Sequence, residues 1–171
     1  MNITLIGMPW SGKSYVGKEL AGRLKYDFIE TDAVLEGEYG LPIREVLEKL
    51  GESVFLKKQE EYVISSTKNK DNTVISTGGS IIYTDRAMQY LKEISLIVYL
   101  DMPLEVIEKR MADLPRNIVG SKDKNLERLY KERILLYKKW ASATVNANQN
   151  SKIVVENILK IIENRKKFNK L

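Results

Sequence analysis

The stretch GMPWSGKS, residues 7–14, follows the apolar run Asn2–Ile6 and precedes a segment with helical spacing from Lys13 to Lys25. It fits the Walker A pattern of glycine, four residues of any type, glycine, lysine, and serine or threonine. Glycines at Gly7 and Gly12 allow backbone N–H groups to wrap closely around a polyphosphate. The alternative is a glycine turn that matches by chance. The position between a strand and a helix favours a phosphate-binding loop.

Several groups of this loop are candidates for binding ATP. Polar contacts to the phosphates and to Mg²⁺ are predicted at Gly7, Ser11, Gly12, Lys13 and Ser14. The Lys13 ammonium would bridge the outer phosphates, and the Ser14 hydroxyl would be a ligand of Mg²⁺. Trp10 either lies under the phosphates or packs against the core, and packing is the favoured interpretation.

Short apolar runs alternate with longer segments of helical periodicity along the chain. This alternation predicts an α/β fold in three layers, with a five-stranded parallel sheet flanked by helices. Leu96–Leu100 has no polar alternation and is predicted to lie inside the sheet. The predicted strands are Asn2–Ile6, Asp27–Glu30, Thr73–Ser76, Leu96–Leu100 and Ala143–Ala147. The predicted helices are Lys13–Lys25, Pro42–Leu50, Glu52–Thr67, Thr84–Glu93, Pro103–Ala112, Lys124–Ala141 and Ser151–Lys166.

Composition limits the chemistry and the partners. The 171 residues include no cysteine and no histidine, which excludes disulfides, thiolate metal sites and histidine bases. The 28 basic residues are dispersed among 23 acidic ones, so nucleic-acid binding is not predicted. The apolar start is too short to span a membrane. We therefore expect a single cytoplasmic domain over residues 1–171, monomeric, with a small-molecule substrate and no membrane partner.

Further motifs follow the loop in a fixed order. They are Glu30-Thr31-Asp32, Gly51-Glu52 with Phe55, Thr77-Gly78-Gly79, the pair Arg110 and Arg116 around a polar segment, and Glu132-Arg133. In order and spacing this set resembles the shikimate kinase family, over nearly the whole chain. The resemblance implies an ATP-dependent kinase that phosphorylates a hydroxyl of shikimate, giving shikimate 3-phosphate.

The resemblance also implies roles for single residues. Asp32 would bind the acceptor hydroxyl and help to remove its proton, although a helix-capping role is an alternative. Glu30 would act near Mg²⁺, usually through water. Gly78 and Gly79 would let backbone amides approach the substrate, unless they form only a strand-exit turn.

Three arginines match positive positions of the family. Arg116 would neutralise phosphate charge from a lid at about residues 113–123, which reads as a mobile polar loop. Arg110 would pack over adenine, and Arg133 would hold the carboxylate of the substrate. Exposed arginines without such roles are the alternative for each.

The match fails at several positions in the acceptor region. The family has arginine and glutamate where this chain has Leu56 and Gln59, and that arginine grips the shikimate carboxylate. Ser80 replaces a third glycine, and Asn117 replaces the proline after the lid arginine. Losing one partner of such an ion pair costs about 3–5 kcal/mol, unless Lys57 or Lys58 compensates. Two alternatives therefore stay open: a related kinase for another small hydroxylated metabolite, and a non-catalytic nucleotide-binding module.

Overall fold

The computed structural model describes residues 1–113, 118–121 and 125–168. Within those ranges the chain forms five β-strands, eight α-helices and one short 3-10 helix. The strands are β1 (Asn2–Ile6), β2 (Asp27–Glu30), β3 (Thr73–Ser76), β4 (Ser95–Asp101) and β5 (Ala143–Asn146). The helices are α1 (Lys13–Leu24), α2 (Thr31–Tyr39), α3 (Ile43–Leu50), α4 (Glu52–Thr67), α5 (Asp85–Ile94), α6 (Leu104–Asp113), α7 (Leu126–Trp140) and α8 (Ser151–Phe168), and the 3-10 helix spans Ile81–Tyr83.

The strands form one sheet in the order β2-β3-β1-β4-β5, and all neighbouring strands are parallel. The central strand is β1, where Leu5 pairs with Ser76 on one side and with Val98 on the other. Because the strands are parallel, the segments after β1, β2 and β3 lie at the same edge of the sheet, the one formed by the carboxyl ends of the strands. In open α/β sheets this edge, at the switch in strand order, is where ligands bind.

The predicted five-stranded parallel sheet with flanking helices is confirmed. The run Leu96–Leu100 is buried along its whole length inside β4, because β4 lies between β1 and β5 and its side chains pack against helices of the larger hydrophobic cluster. One helix, α2, was not predicted. Its buried residues are Thr31 and Leu35, so it has too few apolar side chains to show helical periodicity.

Two hydrophobic clusters support the ligand-binding edge. The larger one contains the sheet and residues of the helices packed on it, such as Val155 and Ile158 of α8. The smaller cluster joins α2, α3 and α4 through Leu35, Val46 and Phe55, and it also includes Val119. No helix of the described residues is long and apolar enough to cross a bilayer.

Candidate active site

The loop of residues 7–14 joins the end of β1 to the start of α1. Gly7 has a φ of 152°, and a Cβ there would lie 2.8 Å from the Leu100 carbonyl oxygen. Gly12 is the N-cap of α1 with a φ of 89°, a left-handed conformation that favours glycine. Both glycines are therefore required by the backbone, and the N-terminus of α1 faces the space that the loop surrounds.

Polar groups of the loop are arranged for an anion. The Lys13 ammonium is buried and donates to the carbonyl oxygens of Gly7 at 2.9 Å and Met8 at 2.8 Å. The Ser11 hydroxyl is buried and has no hydrogen-bond partner among the described residues. A buried hydroxyl without a partner is unfavourable unless a ligand satisfies it. The loop therefore fits a phosphate group.

Ser14 and Glu30 meet at the junction of α1 and β2. The Ser14 hydroxyl donates to Glu30 Oε1. No group of three or more Asp, Glu, His or Cys residues within the described ranges is arranged to hold a metal. This pair of oxygen ligands fits a cation such as Mg²⁺, which is usually bound by one or two protein groups together with water and substrate phosphates.

Asp32 lies in the first turn of α2, where it faces the phosphate-binding loop. Glu30, rather than Asp32, is the N-cap of this helix, so capping does not account for the Asp32 side chain. Its Oδ1 accepts a hydrogen bond of 3.3 Å from Gln59 Nε2. Burial raises the pKa of the Asp32 carboxyl, although the Lys13 ammonium and the Gln59 N–H oppose the increase. A carboxylate with a raised pKa is a better proton acceptor.

The segment Thr77-Gly78-Gly79 follows β3 and needs glycine for steric reasons. A Cβ at Gly78 would overlap with Gln59 Nε2 and Asp32 Oδ1, and a Cβ at Gly79 would lie 2.7 Å from Pro9 Cδ. A plain strand-exit turn would not require such close contacts. Ser80 has a φ of −91°, so the serine at this position causes no backbone strain.

One pocket contains the main predicted groups. We call it the central pocket; its lining includes Lys13, Asp32, Gln59, Gly79 and Arg133. Apolar residues of α3, α4 and the segment 118–121 complete it, including Ile43, Leu47, Phe55, Ile118 and Val119. A lining that combines these polar and charged groups with apolar side chains suits a small molecule with several hydroxyls.

Arg133, on α7, is a cation in the lining of the central pocket. It is fully buried, with Nη2 donating to the Val119 carbonyl at 2.9 Å and Nε donating to the Tyr83 hydroxyl at 3.3 Å. Its Nη1 has no partner among the described residues. Both existing partners are neutral, so the guanidinium is ready to pair with an anion.

Leu56 stands where the family pattern has an arginine, and it does not line the central pocket. It packs against the smaller hydrophobic cluster. Lys58 forms an ion pair with Glu61 on the surface at 2.9 Å, and Lys57 is exposed. Neither lysine lines the central pocket, so compensation by Lys57 or Lys58 stays a prediction without support from these contacts.

A second cleft lies on the other side of the phosphate loop. Arg110 is exposed there and donates from Nη1 to the Trp10 carbonyl at 2.6 Å. The cleft is also lined by Tyr15, Met102 and Gln149. Trp10 packs partly buried against the core and lines the central pocket, consistent with the favoured interpretation.

The segment predicted as a lid is described in part. Arg116 and Asn117 lie outside the described residues, as do residues 114–115 and 122–124. Asp113 belongs to α6. Ile118 and Val119 are buried, and the Gly120 N–H donates to Glu52 Oε1 at 2.7 Å. Ile118 and Val119 are therefore an apolar part of the segment that the sequence presents as polar, and they line the central pocket. The mobility of the lid stays a prediction.

Some residues of the pocket were not recognised as site residues in the sequence. Gln59 was noted only as a departure from the family pattern, and Ile118 and Val119 were hidden in a polar segment. The pair Ile-Val between polar residues was an available signal for a buried contact. Gln59 carries no such signal, because its role depends on the packing of α4 against α2.

The fold and these two adjoining sites define a P-loop kinase for a small molecule. The family model described as shikimate kinase matches residues 9–163. A shikimate kinase of Clostridium botulinum (strain 657 / Type Ba4) is 40% identical over 157 residues, which is 90% of this chain and 92% of that protein. The chain belongs to the shikimate kinase family.

Solved structures agree with this assignment. A shikimate kinase from Acinetobacter baumannii in complex with shikimate has a TM-score of 0.86 and 30% identity, covering 96% of this chain and 94% of that one. The shikimate kinase from Aquifex aeolicus has a TM-score of 0.81 and 32% identity, covering 97% and 98%. The sequence-based prediction of the family and of the kinase class is confirmed.

Proposed function

We propose that this chain phosphorylates a hydroxyl of shikimate with ATP, giving shikimate 3-phosphate and ADP. The observation that carries the proposal is the buried Arg133, which lines the same pocket as Asp32 and Lys13 and whose Nη1 has no hydrogen-bond partner among the described residues. A small acid with a hydroxyl would satisfy the cation at one end and the carboxylate at the other. The A. baumannii relative was solved with shikimate, which supports this choice of acceptor.

Residues 7–14 hold the nucleotide in this proposal. The loop N–H groups and the Ser11 hydroxyl bind phosphate oxygens, while the Lys13 ammonium exchanges its carbonyl partners for the outer phosphates. Ser14 and Glu30 hold Mg²⁺, Glu30 directly or through water. Neutralisation of phosphate charge is the chemistry that Mg²⁺ supplies in such a site. Arg110 packs over the adenine.

Asp32 orients the acceptor hydroxyl and accepts its proton as the new O–P bond forms and the bond to the leaving ADP oxygen breaks. Lys13 stabilises the charge on the transferring group, and Arg116 has the same role in the prediction from sequence. Gly78 and Gly79 give the acceptor close access to the backbone. Ile118 and Val119 exclude water from the pocket, which limits hydrolysis of ATP.

A direct assay tests the proposal. The purified chain is incubated with ATP, Mg²⁺ and a panel of hydroxylated acids that includes shikimate, and products are scored by the mass gain of one phosphoryl group. We expect shikimate to be the best acceptor. An inert shikimate beside another active alcohol would overturn the choice of substrate, and ATP binding without any product would indicate a non-catalytic module.

A different acceptor is the second candidate, and Leu56 is the observation that favours it. Without an arginine at that position, the described residues of the central pocket offer Arg133 and Lys13 as cations. An acceptor whose acidic group needs one arginine would fit as well.

We also keep the predictions of a cytoplasmic monomer with a single domain and no nucleic-acid or membrane partner.

A further inference from the structure

Gln59 is a buried polar residue of the central pocket to which the proposed mechanism gives no role. It lies on α4 with 1% exposure, and both ends of its side-chain amide form hydrogen bonds. Nε2 donates to Asp32 Oδ1 at 3.3 Å, and Oε1 accepts from the Ser80 hydroxyl at 2.9 Å. These contacts form a chain from the end of β3 through α4 to the proposed catalytic carboxylate.

The direction of the amide is fixed by its neighbours. With the opposite orientation, Gln59 Oε1 would face the Asp32 carboxylate, and two acceptors would oppose each other. The Asp32 carboxylate therefore selects the observed orientation. The Ser80 hydroxyl can donate or accept, and here it donates to Oε1 and anchors the other end of the amide.

The backbone approaches this pair closely on one side. Gly78 packs so closely that a Cβ there would overlap with both Gln59 Nε2 and Asp32 Oδ1. The Gly78 N–H is held in turn by the Thr31 hydroxyl at 3.3 Å, one residue before Asp32. The carboxylate is thus held by a side-chain donor and by contact with the backbone.

We propose that Gln59 is a positioning residue: its amide, anchored by the Ser80 hydroxyl, holds the Asp32 carboxylate at the angle needed to receive the acceptor hydroxyl. This inference rests on the proposed function of Asp32. Catalytic groups must be held within a fraction of an ångström, and small displacements reduce rates on the order of 10²-fold. Gln59 acts through Asp32 and has no contact with reacting atoms in this proposal.

Two substitutions of similar size test the role of the amide N–H. Gln59→Met removes both hydrogen bonds, and Gln59→Glu keeps an acceptor for Ser80 but brings a carboxylate against Asp32. We expect kcat with the acceptor to fall roughly 10- to 100-fold for Gln59→Met and at least as much for Gln59→Glu. The KM for ATP should stay within about twofold, because the nucleotide loop is untouched. Ser66→Ala is the matched control on α4, since the Ser66 hydroxyl bonds to carbonyls of its own helix.

The role of Ser80 is tested by a double-mutant cycle. Ser80→Ala alone should lower kcat several-fold. In the Gln59→Met background, Ser80→Ala should lower kcat little further, because the two residues act as one unit. Unchanged kcat in Gln59→Met would overturn the proposal. Independent, additive losses would overturn the link to Ser80, and an equal rise in the KM for ATP would indicate general damage to the pocket.

A measurement on the free protein separates this inference from the proposed reaction. The sequence has three glutamines, at positions 59, 89 and 149, and the other two are exposed. By NMR, the side-chain amide protons of Gln59 should exchange with solvent at least about tenfold more slowly than those of Gln89 and Gln149, and Ser80→Ala should reduce this difference. Fast exchange at Gln59 in the native protein would overturn the inference whether or not any acceptor is phosphorylated. Slow exchange in a protein without kinase activity would instead reject the proposed reaction.

Discussion

Replacement of Arg133 by lysine tests how the acceptor is recognised. The arginine uses Nη2 for Val119 and Nε for Tyr83, which leaves Nη1 for a ligand. A lysine side chain has one nitrogen, so it cannot donate to the Val119 carbonyl and to a carboxylate with the fork geometry of an arginine. A hydrogen bond to a charged group contributes about 1.5–3 kcal/mol. Because Arg133 is fully buried, water does not compete for this bond.

At about 1.4 kcal/mol per factor of ten, Arg133→Lys should lower kcat/KM for shikimate roughly 10- to 150-fold. The assay compares shikimate with its methyl ester, which carries no charge on the carboxyl group. For the ester, kcat/KM should fall no more than a few-fold, since the uncharged ester forms no full ionic contact with Arg133 in the parent protein. The KM for ATP should not change, because the hydrogen bonds of Arg133 are to Tyr83 and Val119 and not to residues 7–14.

Arg128→Lys is the matched control, since Arg128 is exposed on the same helix and should tolerate the change. Unfolding temperatures of both variants show whether the loss reflects folding. Equal losses for acid and ester in Arg133→Lys would mean that the arginine only supports Val119 and the shape of the pocket. No loss with either acceptor would show that the carboxylate binds elsewhere, and the reasoning from the unpaired Nη1 would be refuted.

Three further perturbations test the remaining groups. Lys13→Ala should abolish measurable turnover, a loss of at least roughly 10²- to 10³-fold, with an unchanged circular dichroism spectrum; retained activity would contradict the mechanism. Asp32→Asn should lose most of the rate in a product assay while ATP binding by calorimetry persists, and an unchanged rate would remove Asp32 from the mechanism. Without ligands, Asp32→Asn should also unfold at a higher temperature than the parent protein at pH 7. Burial raises the folded-state pKa of Asp32 above its ordinary value of 3.8, so ionisation of this carboxyl opposes folding. The gain in unfolding temperature should be largest above the folded-state pKa and should vanish as the pH falls below the unfolded-state pKa. Glu52→Ala removes the acceptor for the Gly120 N–H, so the KM for the acceptor should rise roughly tenfold, and an unchanged KM would show that this contact does not help to close the pocket.

The sheet and the phosphate loop could be predicted from sequence because their signals are local. Residues 7–14 carry their backbone requirements in the glycines, and the apolar run of β4 indicates a strand covered on both sides. The helix α2 escaped prediction because it buries mainly Leu35, so its helical form depends on contacts with α3 and α4. Local periodicity cannot report a helix that is stabilised by its neighbours.

The acceptor region was harder to predict, because it is built from several distant segments. The sequence indicated Asp32, Gly78 and Arg133; in the structure Asp32 and Arg133 line one pocket, and Gly78 packs against Asp32. It did not indicate that Gln59 bonds to Asp32, since that contact joins residues 27 positions apart on two helices. The structure also explains why Gly78 is glycine: the constraint is steric and comes from side chains of other elements.

The central position of β1 determines when the nascent chain can acquire nucleotide affinity. Leu5, near the end of β1, finds its sheet partners at Ser76 and Val98, so both pairings require the closure of long chain loops. Until β3 and β4 have left the ribosome, the strand that anchors residues 7–14 lacks both of its sheet neighbours. A segment that precedes both partner strands in the chain therefore takes its functional shape only after both have been synthesised.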